Sequence, residues 1–521
     1  MKRLLVANRG EIACRIFATA RELGIETVAV YSDADRLALH PTLADRAVAL
    51  GADDPTIAYL DVSRILAAAR ATEVDAIHPG YGFLAESAAF AEEVERAGMT
   101  FVGPSVDSIA AMGDKLRARE LAGKAGLPLL PAATLGSEEL GDGIAGAKKA
   151  AANVGYPLIV KAAAGGGGRG MRVVATPGDL AEAIASARRE AGAAFGDDRV
   201  YLERYVAEPH HVEVQVFGDG RGHVLALGER ECSVQRRHQK IIEESPAPCI
   251  DESLRNRLAD AAIALCAPIS YRGAGTVEFI VGANGQHFFL EMNTRLQVEH
   301  PVTEAVFGVD LVRWQLEVAA GGALPASVGA PRGHSIECRI CAEDPANGFL
   351  PTSGAVERLE HPSGAGVRVD SALYEGLEIP LAYDSLLAKL IVWAPDREQA
   401  RRRMIGALER FVLLGIRTNI GFLVELLRSD TFARGAFTTS TLDRRAARSS
   451  PPTERGLSTA ARDGRNVAAG AADDPRSIAA VAAAALLGPS AARGANGDAS
   501  AAARTRPGPW ERLGPWRSGG R

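Results

Sequence analysis

The chain has 521 residues, 47% hydrophobic and 24% charged, with a net charge of −5. That length and apolar content suit a large core divided among several domains, and the slightly acidic balance offers no global basic field for nucleic acid. Six scattered cysteines are too few for a disulfide scaffold and fit a reducing cytoplasm. No apolar run reaches the ~18 residues of a membrane span, and the start, Met1-Lys-Arg-Leu-Leu-Val-Ala-Asn8, enters a strand without a signal-peptide core.

In chain order, Leu4 to Ala7 reads as a buried parallel strand. Gly10 to Leu23 has helical periodicity (Ile12, Ile16, Ala20, Leu23) and stops at Gly24, and Thr27 to Tyr31 is the next strand. This β-α-β opening predicts a right-handed, doubly wound parallel unit. Asn8-Arg9-Gly10-Glu11 occupies the strand-to-helix turn where such folds bind ligands, but lacks the glycine pattern of a dinucleotide site. Ala76 to Gly82 is another strand end, and Thr100 to Pro104 leads toward the close of the first α/β domain at 113.

Tyr156-Pro-Leu-Ile-Val-Lys161 followed by Gly165 to Gly168 and Gly170, then Met171 to Val174, reads as strand, glycine loop, strand. Successive glycines let backbone N–H groups approach a triphosphate. The lysine precedes the glycines, so this is not a Walker A loop; a mobile flap over ATP fits better. Val200 to Val206 reads as the passage from one lobe to the other, and His211 to Phe217 alternates as a half-buried strand. Cys232 to Lys240 is a compact basic run between two strand regions, equally consistent with a solvated face and an anion site.

Two apolar runs flank Asn284-Gly285, the strongest short-range hairpin signal, since a type I′ turn needs positive φ at both central residues. With Ala283 and Gln286 as closing pair, Glu278 falls opposite Glu291, about 5 Å apart at Cβ. Two carboxylates that close repel, and a divalent cation relieves the repulsion. Asn293 points to the same face, and Glu, Glu and Asn form an oxygen set suited to Mg²⁺ or Mn²⁺. Continued alternation puts Arg295, Gln297 and Glu299 in one row beside the metal. The plainer alternative is two exposed glutamates on an edge ribbon.

Residues 334–442 form a third region. It holds a strand carrying Arg339 (His334 to Ile340), strands at Val367 to Asp370 and Leu390 to Trp393, and a helix from Ala400 to Phe411. Cys338 and Cys341 have metal-like spacing but no second pair, and read as buried thiols. From about 443 the composition turns to Ala, Arg, Gly, Pro and Ser, which cannot bury enough apolar surface to offset ordering entropy. One Ala-rich piece, Ser477 to Leu487, could form a lone helix.

Six segments carry a family resemblance: Ala7 to Ala13, His78 to Leu84, Met112 to Lys115, Lys161 to Met171, Gln235 to Lys240, and Glu291-Met-Asn-Thr-Arg-Leu-Gln-Val-Glu-His-Pro301. In type and order the chain resembles the biotin carboxylase component of biotin-dependent acyl-CoA carboxylases, in the ATP-grasp superfamily. The resemblance implies an α/β fold with an N-terminal doubly wound parallel sheet (1–113), an ATP-grasp central domain (114–317) with a glycine-loop lid (about 131–203) and a C-terminal α+β domain (334–443); it ends there, and composition alone makes 444–521 a disordered low-complexity tail. It also implies the reaction: ATP phosphorylates bicarbonate to carboxyphosphate, which breaks down to CO₂ and phosphate, and a ureido nitrogen of biotin is carboxylated. This is the first half-reaction of an acyl-CoA carboxylase.

Carried over by residue, the resemblance implies that Lys115 and Lys161 hold ATP phosphates with Gly167 and Gly168 in the flap. Glu203 and Val206 would read the adenine edge, and His211, Gln235 and His238 would line the nucleotide pocket. Glu278, Glu291 and Asn293 would hold two Mg²⁺ or Mn²⁺. Arg295, Gln297 and the Val298 backbone would bind bicarbonate, with Glu299 as its general base and Lys240 neutralising the anions. Arg339 would stabilise the enolate of biotin. The family's carrier motif is absent, since the only Met-Lys is Met1-Lys2. Biotin is therefore expected as a substrate on a separate carrier protein or domain, not attached to this chain.

A carboxyltransferase subunit, a homodimer and a cytoplasmic setting complete the expected context, with no nucleic acid or membrane partner. The stretch Gly508-Pro-Trp510 to Trp516-Arg517 is similar to a junction in longer α-chains, so descent from such a chain, or truncation of one, is a further expectation. Another ATP-grasp ligase, or a catalytically silent assembly partner, would be the competing readings.

Overall fold

The computed structural model describes residues 1–51, 54–135, 144–163 and 171–449. The flap glycines Gly167 and Gly168, the Ser477 to Leu487 segment and the tail from 450 lie outside the described residues.

The N-terminal run Leu4-Leu5-Val6, fully buried on both faces, forms β1 (Arg3–Val6). Around it β2 (Glu26–Tyr31), β3 (Arg46–Ala49), β4 (Ala76–His78) and β5 (Thr100–Phe101) pair in the order β3-β2-β1-β4-β5, all parallel. The helix Gly10–Glu22 buries Ile12, Ile16 and Ala20 against the sheet, and Gly24 follows it with φ +70°. A left-handed residue just past a helix end is the usual place for glycine. This is the expected doubly wound opening.

The lid is a four-stranded antiparallel sheet: β6 (Ala132–Thr134), β7 (Leu158–Ala162), β8 (Arg172–Val174) and β9 (Val200–Arg204), in order β6-β9-β7-β8. Its own core includes Ala147, Ala151, Leu158, Val160, Leu180 and Leu202. Beyond β9, residues 205–209 connect the lid to the central sheet, where β10 (His210–Asp219) begins. The lobe-to-lobe passage expected over Val200 to Val206 coincides with this connector only at Tyr205 and Val206, because Val200–Arg204 is strand β9 of the lid.

The central sheet has eight strands. Those from the middle region are β10, β11 (Val224–Arg236), β12 (Gln239–Ser245), β13 (Arg272–Val281) and β14 (His287–Asn293). The C-terminal region adds β15 (His334–Cys341) and the strands Leu386–Ala394 and Val367–Ser371. The order is β14-β13-β10-β11-β12-β15-(386–394)-(367–371), antiparallel throughout. The C-terminal region is thus continuous with the middle one through the β12–β15 pairing. Its core runs unbroken from Val234 and Ile242 to Met404 and Leu423.

Four expectations are corrected. β10 is not half-buried: Val212, Val214 and Val216 face an apolar core, while His211, Glu213 and Gln215 are also buried. Alternation marks two different faces, not a dry one and a wet one. The basic run Cys232 to Lys240 does not lie between strands; it is the end of β11, a two-residue turn and the start of β12. Arg237 and His238 make that turn with φ +49° and +67°, conformations usually given to glycine or asparagine, so no turn signal stood in the sequence.

The β13–β14 turn differs too. Gly282 N–H bonds Gln286 O at 2.8 Å, and only Gly285 has positive φ (+75°), making a three-residue loop rather than type I′. A bulge then shifts the register between Glu278 and Phe279, and Glu278 still pairs with Glu291. Finally, β14 ends at Asn293, so the row Arg295, Gln297, Glu299 lies on an irregular segment, not on a strand.

Candidate active site

One face of the central sheet carries a row of charges, buried at Arg230, Glu213 and Glu278 and half-buried at Glu291. Register places Arg230 on β11 opposite Glu213 on β10, Glu213 opposite Glu278 on β13, and Glu278 opposite Glu291 on β14. A bulge at Ile241 (Val234 pairs with Ile242, but Gln235 with Lys240) brings Lys240 and Glu243 of β12 to this face. Across this face packs the helix His300–Phe307, which has Glu299 just before its first turn.

Lys240 is the hub. Its Nζ donates to Glu213 Oε2 at 2.5 Å, Glu299 Oε1 at 2.6 Å, Glu278 Oε1 at 3.2 Å and Gln297 Oε1 at 3.3 Å. Arg339 donates to Glu243 Oε1 at 2.6 Å and to Glu299 Oε2 at 3.0 Å. Glu299 therefore bridges two cations. Arg230, fully buried, donates to Glu213 at 2.6 Å, and also to Gln215, Thr276 and Thr303.

Burial opposes charge on Glu299, yet Lys240, Arg339 and Arg230 outweigh it and hold its carboxyl well below the usual range. Glu278 is likewise depressed: burial is outweighed by Lys240 and His211, with hydrogen bonds from His211 and Gln297. Burial opposes the charge on Lys240, and the carboxylates of Glu213, Glu278 and Glu299 raise it well above its ordinary value. His211, 2.9 Å from Glu278 Oε2, is raised by that carboxylate against the effect of burial.

The predicted metal ligands meet. Glu278 and Glu291 are paired, and protein nitrogens already stand against both: Lys240 and His211 at Glu278, and Lys115 Nζ at 3.7 Å from Glu291. Asn293 presents Nδ2 to Glu278 Oε1 at 2.8 Å and Oδ1 to Arg295 at 3.0 Å, so its oxygen reaches a cation at Glu278 after a half-turn of the amide. The all-oxygen donors and their excess of negative charge fit Mg²⁺ or Mn²⁺.

Other predicted residues fall around this hub. Gln297 Nε2 donates to Glu278 Oε1 at 3.0 Å. The Val298 carbonyl accepts from Lys389 Nζ at 2.9 Å. Arg295 donates to Glu86 at 2.9 Å and to Asn293 at 3.0 Å. Gln235 is buried and pairs with Lys240 across the β11–β12 hairpin. His238, on the turn, is lowered by burial, then by the charges of His211 and Lys161, against an opposing effect of Asp443. Lys161 and Glu203 bond one another on the lid sheet, joined by Arg119, so the Glu203 carboxylate faces the lysine and not open space. Val206 lies in the 205–209 connector.

Sequence reasoning missed Glu86, Glu213, Arg230, Glu243, Glu337 and Lys389. For Glu213 a signal existed: His211-Val-Glu213-Val-Gln215-Val puts polar groups at every second position of an apolar strand, and Glu337 and Arg339 repeat it in β15. For Lys389, buried within an apolar run and bonded to Val298 O, no local pattern marks the role.

Family descriptions cover most of the described chain. "Biotin carboxylase, N-terminal domain" matches residues 1–109, "Carbamoyl-phosphate synthase L chain, ATP binding domain" 114–327, and "Biotin carboxylase C-terminal domain" 337–444. The biotin carboxylase of Pseudomonas aeruginosa is 50% identical over 438 residues, 84% of this chain and 96% of that protein. The mitochondrial methylcrotonoyl-CoA carboxylase subunit alpha of Glycine max is 47% identical over 446 residues, 85% of this chain and 60% of that one. Among solved structures, the biotin carboxylase domain dimer of Hydrogenobacter thermophilus 2-oxoglutarate carboxylase, in complex with MgADP, ADP and bicarbonate, superposes with a TM-score of 0.82 at 45% identity, covering 85% of this chain and 98% of that one. A biotin carboxylase–β,γ-ATP complex from Campylobacter jejuni gives 0.82 at 46%, with the same coverage.

Proposed function

Since the chain belongs to the biotin carboxylase family, whose members are ATP-dependent ligases, we propose that its charged sheet face carries out the carboxylation of biotin with bicarbonate, through carboxyphosphate, as the residues below divide the work. The observation that carries the reading is Glu299, one carboxylate held between Lys240 and Arg339 and sharing Lys240 with Glu278.

Phosphoryl transfer needs alignment and charge neutralisation more than covalent chemistry. Lys115 and Lys161 approach the nucleotide phosphates, with Gly167 and Gly168 as further ATP-binding residues and Glu203, Val206, His211, Gln235 and His238 around the nucleoside. Glu278, Glu291 and Asn293 hold the divalent ions, which neutralise the triphosphate's charge. Because Lys161 rests on Glu203, nucleotide binding exchanges that partner for a phosphate.

Bicarbonate lies against Arg295, Gln297 and the Val298 backbone. Glu299 takes its proton, and the resulting oxygen attacks the γ-phosphorus as ADP leaves. At rest Glu299 is a weak base, because two cations stabilise its charge. When Lys240 turns to the anionic substrate and Arg339 to the ureido oxygen of biotin, Glu299 loses both and its basicity rises as the proton has to move. Carboxyphosphate then breaks down behind the closed lid, where water is excluded. The phosphate released from carboxyphosphate takes the ureido N–H proton, Arg339 stabilises the enolate form of biotin so made, and its nitrogen takes the CO₂.

Biotin comes on a carrier protein or domain, and a carboxyltransferase uses the product; homodimers and a cytoplasmic setting complete the proposal. The relatives that are subunits of multi-component carboxylases support the partners, and the free state of all six cysteines supports the compartment. No helix among the described residues is long and apolar enough to cross a membrane.

The test is ADP release with ATP, Mg²⁺ and bicarbonate, with and without biotin. Biotin should stimulate turnover, and Glu299→Gln should lower it by about 10²–10⁴-fold, the range for removing a general base. A folded, ATP-binding protein indifferent to free biotin and to biotinylated carrier would defeat the proposal.

A further inference from the structure

Glu243 on β12 and Glu337 on β15 are directly opposed in the antiparallel register. Both side chains are fully buried. Glu243 Oε1 accepts from Arg339, but Glu243 Oε2 and both carboxyl oxygens of Glu337 have no hydrogen-bond partner among the described residues. Buried polar groups are nearly always bonded, so three bare oxygens in one place call for a physical reason. The charged and titratable groups facing the pair are Arg339 and Cys338 of β15, Lys389 of strand Leu386–Ala394, Lys240 of β12, Glu299 before its helix, and Cys232 of β11. Of these, Arg339 is bonded to Glu243 and none to Glu337.

We infer that Glu337 is a neutral carboxylic acid whose proton replaces Arg339 on Glu243 when Arg339 turns to substrate, so that the two glutamates act together as a positioning device for Arg339. This rests on Arg339 being the group that meets biotin.

Two dry carboxylates facing each other do not both ionise; the pair keeps one proton. While Arg339 rests on Glu243, the proton belongs on Glu337. Burial drives this first and the neighbouring carboxylates add to it, pushing Glu337 well above the carboxylate range, whereas Arg339 restrains Glu243 to about 7. If Arg339 left with nothing in its place, Glu243 would be a bare buried anion, a costly state that would hold the arginine back. Glu337 stands opposite with an O–H to donate, and O–H···O⁻ bonds are among the strong hydrogen bonds. The swap moves no proton in or out of the site. Each Arg339 excursion exchanges one bond at Glu243 for another.

The experiment compares wild type, Glu337→Gln and Glu337→Leu. Gln keeps a neutral donor; Leu has similar bulk and none. Biotin-stimulated and biotin-free ADP release, the KM for biotin and for ATP, and the infrared C=O stretch of protonated carboxylic acids are the readouts. The inference expects Glu337→Gln to stay near wild type. Glu337→Leu should lose about tenfold or more in kcat/KM for biotin, the effect of one missing buried hydrogen bond, with the KM for ATP unchanged. A carboxylic-acid band present in wild type at neutral pH should vanish in Glu337→Gln.

Equal losses in both variants, a Leu variant like wild type, losses that fall equally on ATP, or no such band would each overturn the inference. A wild type that biotin does not stimulate would instead defeat the reading on which it rests. If Glu337→Leu does not fold, the Gln kinetics and the infrared band still decide.

Discussion

Replacing Lys240 by glutamine tests the charge balance of the site. Four buried carboxylates, Glu213, Glu243, Glu278 and Glu299, are balanced by Arg230, Lys240 and Arg339, with His211 drawn toward its charged form. Lys240 alone serves three of the four. Removing one member of a buried pair while leaving its partners charged costs about 3–5 kcal/mol, so Lys240→Gln should lower the unfolding temperature by several degrees in metal-free buffer. Removing an opposing charge as well should restore part of this: in the double variant Lys240→Gln/Glu213→Gln, a coupling of about 0.5–3 kcal/mol should reappear as stability.

The assay is thermal unfolding of wild type, both singles and the double, run beside ADP release. Turnover should fall severely in Lys240→Gln and should not return in the double, because the group proposed to meet the anions is gone. The acid limb of any remaining activity should move upward, since Lys240 is the strongest of the charges that depress Glu299. Additive destabilisation in the double, or a Lys240→Gln protein as stable as wild type, would refute the picture of one coupled charge cluster.

Glu11, buried beside Lys389 and Tyr81, is pushed up to about 7, by burial first. A raised carboxyl holds its proton in the folded chain after the unfolded chain has released it. Its contribution is fully present below the ordinary value of 4.5 and falls away as pH rises to about 7, by at most about 3 kcal/mol. Glu11→Gln should flatten the stability curve over that window, and parallel curves for the two proteins would refute this. At the β13–β14 turn, Gly285→Ala should cost about 1 kcal/mol for placing a side chain at φ +75°. Asn284→Ala should cost only its hydrogen bond to Gln286 N–H; losses of the reverse order in thermal unfolding would restore the type I′ turn. Chelation should abolish ADP release. Glu278→Gln should raise the Mg²⁺ needed for half-maximal turnover about tenfold or more, and an unchanged Mg²⁺ requirement would remove Glu278 from the metal site.

Only local features were legible along the chain. The β-α-β opening, the strand–glycines–strand lid and the hairpin bearing Glu278 and Glu291 follow from period, turn residues and chain neighbours. The Glu278–Glu291 pair was legible even though the turn was not: the three-residue loop shifts the register by one, and a bulge beside Phe279 shifts it back. The motif from Glu291 to Pro301 identified the chemistry, but its alternation did not persist as a strand beyond Asn293. Which charges meet depends on long-range strand pairing. Lys240 finds its carboxylates on β10, on β13 and before a helix, and Arg339 finds Glu243 only because β15 of the C-terminal region pairs with β12. Periodicity tells which face a side chain takes. The identity of its buried counter-charge depends on pairings between strands about a hundred residues apart, which no local pattern encodes.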